Sequence, residues 1–200
     1  MAYVPGTTLH TLVTTFGALP ERQVVRYTQQ LLQALAVCHR SGIIHRDLTS
    51  TNVLLTLHDR VVIIDFASAR VLGGGNPQAR VSNCTPLTPL WSAPEMYTTA
   101  LYSCAVDIWS LGCVVLELLT GRLPSFTPTS QTATGAHEPL NTIYRLTSTD
   151  STFVLPSTVT PDATRFLQSC FERNPSLRIT AQQALLHPWI QSYTPPSHIC

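Results

Sequence analysis

The stretch from Ile43 to Leu55, IIHRDLTSTNVLL, restricts the fold of this chain more than any other. It contains the triplet His45-Arg46-Asp47, and Asn52 follows in the same loop. Two β-branched runs, Val53 to Leu55 and Val61 to Ile64, flank the turn Leu57-His58-Asp59-Arg60. Runs of this kind around a polar turn predict a short β-hairpin. Such a hairpin sets Asn52, at its entry, near Asp65, which ends the run VVIIDFASAR opens with. Ala93-Pro94-Glu95 comes later in the same order. Chance rarely produces an ordered series of this length.

The 200 residues suit one domain with a sizeable core. A formal net charge of +1 argues against a general binder of nucleic acid or of membrane surfaces. The longest apolar run, around Ile108 to Leu119, is broken by Ser110, Gly112 and Glu117, and it is too short to span a bilayer. The first residues lack the basic start and apolar run of a secretory signal. Six cysteines stand at 38, 84, 104, 113, 170 and 200, without a Cys-x-x-Cys pair or a histidine at zinc spacing. Neither structural zinc nor a disulfide framework is expected. Cys113 and Cys170 lie among apolar neighbours and read as small core residues. A reducing, cytoplasmic setting is the expectation.

Pro20-Glu21 opens a helix in which Val24, Tyr27, Leu31, Leu32, Leu35 and Cys38 share one face, with Gly42 placed to end it. Asp107 opens a second helix, apolar on nearly all sides and therefore buried, which runs to Thr120 and stops at Gly121. The Gly-, Ser- and Asn-rich stretch 71–87 is expected to be mobile. Residues 124–139 read as a Ser/Thr/Pro-rich, low-complexity insertion, and Leu140 to Leu146 as a short helix. From Pro156 the pattern is helical again, and the Pro-rich tail after Trp189 is expected to fray. Met1 to Leu12 by itself reads as an ordinary strand and turn before a helix start.

His-Arg-Asp-Leu-x-x-x-Asn, then Asp-Phe, then Thr85 to Glu95 (TPLTPLWSAPE), resembles a eukaryotic-type Ser/Thr protein kinase catalytic domain. The runs 16–47 and 155–190 are most similar to the MAP kinase kinase kinase (STE) branch. The resemblance implies a protein kinase-like α+β fold. This chain would supply its mainly α-helical, C-terminal large lobe with the short hairpin, the small lobe being absent. Residues 1–190 would be hinge plus large lobe, with 65–95 the activation segment and 191–200 a tail. No Gly-rich phosphate loop and no Val-Ala-x-Lys strand occurs in the sequence.

The resemblance also implies roles. Asp47 would accept or orient the proton of a substrate Ser/Thr hydroxyl, and Asn52 and Asp65 would hold Mg2+. Met1 and the backbone of Ala2 to Val4 would meet the adenine of ATP, with Asn52 and Leu54 in the nucleotide site. His45 would be a packed structural residue, and Arg46 would pair with a phosphate or acidic group in the activation segment. Phe66 and Ala67 would help set the pose of that segment, and Thr88 would contact Asp47 and favour Ser/Thr substrates. Glu95 would form a buried ion pair with Arg178, and Asp107 would tie the buried helix to the backbone of the 45–52 loop. Ser82 and Thr85 are polar enough to be phosphorylated, as any such loop would be.

Two positions depart from the pattern. Thr49 stands in place of a lysine that offers positive charge to the transferring phosphate. Ala67 stands in place of the glycine after Asp-Phe, which would cost about 1 kcal/mol if a positive φ were needed there. Two functions remain open on the residues. One is a Ser/Thr kinase lobe using ATP and Mg2+ on a protein substrate, a downstream kinase among the candidates, and needing a small lobe. The other is a pseudokinase or scaffold that binds proteins without catalysis.

Overall fold

The computed structural model describes residues 5–72, 88–98, 102–122 and 157–192. The expectations for Met1, Ala2 and Val4, for Ser82 and Thr85, for the insertion 124–139 and for the helix at Leu140 to Leu146 lie outside the described residues. So do most of the stretch 71–87 and the end of the tail.

Two helices carry the core. Helix α2 (Glu21–Arg40) follows α1 (Leu9–Phe16) and buries Val24, Tyr27, Thr28, Leu31, Leu32 and Leu35 along one face. Glu21 in its first turn and His39 and Arg40 in its last complement the helix dipole. Cys38 sits at the edge of the face and is only half-buried. Gly42, at a φ of 71°, takes the left-handed position just past the helix end, which only glycine adopts without strain.

Helix α4 (Ala105–Thr120) packs against α2 and is buried on nearly every side, from Val106 to Leu118. A short helix α3 (Glu95–Thr98) precedes it, and α5 (Pro161–Cys170) packs against it. Gly112 makes that packing close. A Cβ there would come within 2.8 Å of the Phe171 ring and 2.9 Å of Cys170 Cβ. Cys113 and Cys170 are buried in this contact, and burial pushes the Cys170 thiol up to about 12. Both are core residues, as their neighbours suggested.

Helices α6 (Ala181–Leu185) and α7 (Pro188–Gln191) close the domain, α6 against α2. Thr180 and Gln183 form a reciprocal capping box at the start of α6. Of the tail, residues 193–200 lie outside the described residues, and α7 carries the chain past Trp189. Ile190 is fully buried, and the Ser192 hydroxyl donates back to the Trp189 carbonyl.

The strands are short and serve the loops. Strand β1 (Gly6–Thr8) pairs antiparallel with β3 (Val53–Thr56), which pairs with β4 (Val61–Ile63). The register sets Thr8 opposite Leu54 and Val53 opposite Ile63. A separate two-stranded ribbon joins β2 (Ile43–Ile44) to β5 (Arg70–Val71). The expected hairpin is β3–β4, and the piece before α1 adds a third strand to it.

Candidate active site

The 45–52 loop leaves β2 and is held from beneath by α4. Asp107, fully buried in the first turn of α4, accepts the amide of His45 through Oδ2 and that of Arg46 through Oδ1, each at 2.9 Å. The same Oδ2 lies 2.9 Å from His39 Nε2 on α2. Burial by itself raises this carboxyl's pKa, but the His39 contact and the two amides outweigh it and hold the group below the usual Asp value. Arg46 pays for this arrangement with a φ of 72°, a left-handed backbone that a non-glycine residue keeps only when its surroundings impose it.

His45 is buried, and its ring packs edge-on to Phe66 with centroids 4.7 Å apart. Its Nε2 faces the Ile64 carbonyl at 3.0 Å and its Nδ1 faces the Asp47 amide at 3.3 Å. A carbonyl requires a donor and an amide an acceptor, so the ring carries its proton on Nε2. The histidine ties the 45–52 loop to the strand that ends at Asp65.

Asp47 is fixed through both oxygens. Thr88 Oγ1 donates to Oδ1 at 2.6 Å, and Asn52 Nδ2 donates to Oδ2 at 3.2 Å and to the Asp47 carbonyl at 2.8 Å. This use of its amide nitrogen leaves Asn52 Oδ1 without a hydrogen bond among the described residues. The Ile64 amide donates to the Asn52 carbonyl at 2.9 Å, which brings Asp65 alongside. Asp65 is exposed, has a φ of 62°, and caps the following 3-10 turn (Phe66–Ser68) by accepting the Ala67 amide at 3.2 Å.

The donor set fits Mg2+. An amide oxygen from Asn52 and a carboxylate from Asp65 are the few hard oxygen ligands a protein offers when phosphates and waters complete an octahedron. Among the described residues no three or more His, Cys, Asp or Glu side chains cluster to hold a metal ion. Leu54, half-buried on β3 between Thr8 and Val62, sits on the same hairpin.

Other expected residues fall as follows. The Arg46 guanidinium lies over the Tyr102 ring at 5.6 Å, and its Nε and Nη1 are buried without a hydrogen-bond partner among the described residues. Thr49 is buried, with its hydroxyl 2.7 Å from that of Thr51. Ala67 lies in a 3-10 turn and not in the left-handed region. The anticipated cost of replacing glycine is therefore not incurred in this pose; the positive φ falls on Asp65 instead.

Glu95 and Arg178 meet in a buried, two-pronged ion pair, Nη1 to Oε1 at 2.6 Å and Nη2 to Oε2 at 3.0 Å. The guanidinium also donates to the carbonyls of Glu172 and Ala105 and stacks over Trp109 at 5.1 Å.

Two supports were not foreseen from the sequence. Gln30 on α2 accepts the Val61 amide at 3.0 Å and donates to the Asp59 carbonyl at 3.3 Å, clasping the hairpin. Glu117 on α4 accepts from Ser50 Oγ at 2.9 Å and contacts His10 Nδ1 at 3.1 Å. Glu117 did leave a signal, because a carboxylate deep inside a buried apolar helix has to find polar partners.

Comparison with known proteins agrees with this geometry. Residues 1–190 match the protein kinase domain family, and the chain belongs to it. It is 35% identical over 190 residues to the cytokinesis protein sepH of Aspergillus terreus, covering 95% of this chain and 13% of that one. It is 33% identical over 192 residues to mitogen-activated protein kinase kinase kinase 2 of Arabidopsis thaliana, covering 95% of this chain and 28% of the relative. Mitogen-activated protein kinase kinase kinase A of Dictyostelium discoideum is 34% identical over 192 residues, covering 96% and 19% respectively. The chain thus spans less than a third of the length of each of these relatives. At the level of the family it is a protein serine/threonine kinase. Among the described residues no helix is long and apolar enough to cross a membrane.

Proposed function

We propose that this chain is the large lobe of a cytoplasmic kinase that moves the γ-phosphoryl group of ATP to Ser or Thr hydroxyls of a protein substrate. The observation that carries the reading is the fixed Asp47 carboxylate, held by Thr88 on one oxygen and Asn52 on the other. Such a carboxylate keeps free lone pairs to accept the proton of an incoming hydroxyl, and its orientation is settled before substrate arrives. The substrate oxygen bonds to the γ-phosphorus, the bond to the ADP oxygen breaks, and the hydroxyl proton passes toward Asp47. Asn52 and Asp65 would hold Mg2+, which supplies positive charge to the phosphate oxygens. Arg46, with guanidinium nitrogens to spare, suits a phosphate or carboxylate of the activation segment. The names of the plant and slime-mould relatives point to another protein kinase as the substrate class.

The small lobe, with its phosphate loop and lysine, is the partner this reading requires. The test joins such a lobe ahead of residue 1 and measures phosphate transfer to a protein substrate. Asp47→Ala should cut kcat by about 10²-fold or more while leaving ATP affinity within about twofold. Equal turnover in parent and variant would assign the chemistry to other residues.

One observation favours the scaffold reading. Thr49, where a cationic side chain would serve the transferring phosphate, is buried and bonded to Thr51. Under that reading the joined protein binds partners but transfers no phosphate, and Thr49→Lys leaves it inert.

A further inference from the structure

Helix α4 carries two buried carboxylates, Asp107 in its first turn and Glu117 in its last, separated by about 15 Å along the axis at the helical rise. Asp107 holds the entry of the 45–52 loop through the amides of His45 and Arg46. Glu117 reaches the exit of the same loop. Ser50, fully buried, opens the 3-10 turn Ser50–Asn52, and its hydroxyl donates to Glu117 Oε1 at 2.9 Å. The turn itself is closed by the Asn52 amide on the Thr49 carbonyl at 3.0 Å.

We infer that Ser50 and Glu117 are positioning residues for the Mg2+-binding Asn52, forming a second anchor that fixes the exit of the loop as Asp107 fixes its entry. The inference rests on the kinase reading above for what Asn52 binds. The anchoring itself rests on this network alone.

Three features support it. First, Glu117 is an inefficient stabiliser where it stands. It is 1% exposed, and its Oε2 is buried without a hydrogen-bond partner among the described residues. A buried carboxylate with an idle oxygen compares poorly with an apolar side chain of the same volume, so stability alone does not account for it. Second, its other oxygen is shared by exactly the groups that border the site. Ser50 comes from the 45–52 loop, and His10 Nδ1, at 3.1 Å, comes from α1, which follows strand β1 beside Leu54. Third, the anchored turn is short. Asn52 lies two residues from Ser50, and its amide nitrogen bonds both the carbonyl and the carboxylate of Asp47. A shift of Ser50 is therefore passed to both groups.

The test reads amide hydrogen exchange at Asn52 in the 200-residue chain and the Kd for manganese-ATP in that chain joined to a small lobe, for the parent, an Asn52→Ala control and three variants. Ser50→Ala removes the donor, Glu117→Leu removes the acceptor, and Glu117→Gln keeps an acceptor oxygen. Ser50→Ala and Glu117→Leu should each speed exchange at Asn52 about tenfold, and their combination should do no more than either alone. Glu117→Gln should stay within about threefold of the parent. Exchange in the middle of α4 should not follow these changes. Manganese-ATP should bind about fivefold more weakly to Ser50→Ala, against near-complete loss in Asn52→Ala.

If Glu117→Leu fails to fold, Ser50→Ala alone and Ser50→Ala combined with Glu117→Gln carry the same test. An unchanged Asn52 amide in Ser50→Ala, or effects that multiply in the double variant, overturns the anchor. So does faster exchange spread evenly over α4, which marks a purely global loss of stability. A parent chain that, joined to a small lobe, takes up no manganese-ATP overturns the nucleotide reading instead, and the exchange data still decide the anchor.

Discussion

The two halves of the candidate site are built differently. The 45–52 loop rests on buried charge: Asp107 and Glu117 accept from its backbone and from Ser50, and His45 is packed beneath it. The 65–68 turn has no such support. Asp65, Phe66 and Ala67 are exposed, and the turn is held by the strands on either side, by the edge-on contact of Phe66 with the His45 ring and by the Asp65 side chain capping its own turn. Buried charge-assisted hydrogen bonds have one good geometry and a large penalty for leaving it. Exposed main-chain contacts exchange with water at little cost. The loop carrying Asp47 is thus the more firmly anchored half, and the turn carrying Asp65 is the half with less to hold it in one pose.

The most severe way to break this contrast is to remove the support under the loop. Asp107→Ala leaves two amides and the His39 ring without their acceptor, and it should cost about 3–5 kcal/mol in urea unfolding. A loss near that of an exposed substitution would show that α4 does not carry the loop.

Acid titration sharpens the same point. The folded pKa of Asp107 is depressed, so its contribution is fully present above the ordinary Asp value of about 3.9 and is lost as pH falls through the lower folded value. The stability gap between parent and Asp107→Asn should therefore narrow between about pH 5 and pH 2. A constant gap across that range would remove charge from the explanation.

On the other half the expected effects are small. Ala67→Gly should destabilise by about 0.4–1 kcal/mol, since alanine already fits the turn and glycine only adds freedom to the unfolded chain. Stabilisation by glycine would mean that the resting turn is strained. Asp65→Asn should move the unfolding midpoint least, within about 0.5 kcal/mol, because the side chain is exposed and asparagine tolerates the left-handed backbone. The same change should clearly weaken manganese-ATP binding by calorimetry. Unaltered binding would take Asp65 out of the proposed metal site.

Much of this architecture is legible in the residues. The periodicity from Val24 to Leu35 is that of a helix with one buried face, and α2 follows it. The unbroken apolar character after Asp107 allows only a buried helix, and α4 is one. The β-branched runs either side of 57–60 make the hairpin, because branched side chains suit a pleated surface and the turn residues do not. Glu95, Arg178, Thr88 and Asp107 were named from their resemblance to a kinase pattern, and each meets the partner that pattern assigns.

Local spacing says nothing about which side chains meet across the core. Glu117 and Ser50 lie 67 positions apart, and Gln30 and Val61 lie 31 apart. Each bond exists because α2 and α4 pack against each other and against the loop and hairpin. The conformation of residue 67 was also decided in three dimensions. Asp65 takes the positive φ, caps its own turn, and so leaves alanine an ordinary backbone. The sequence by itself determined the elements and the identity of the acidic and amide groups, because periodicity and side-chain chemistry are local properties. Which of those groups are anchored and which stand free was decided only by tertiary packing, since burial and hydrogen-bond geometry depend on neighbours remote in the chain.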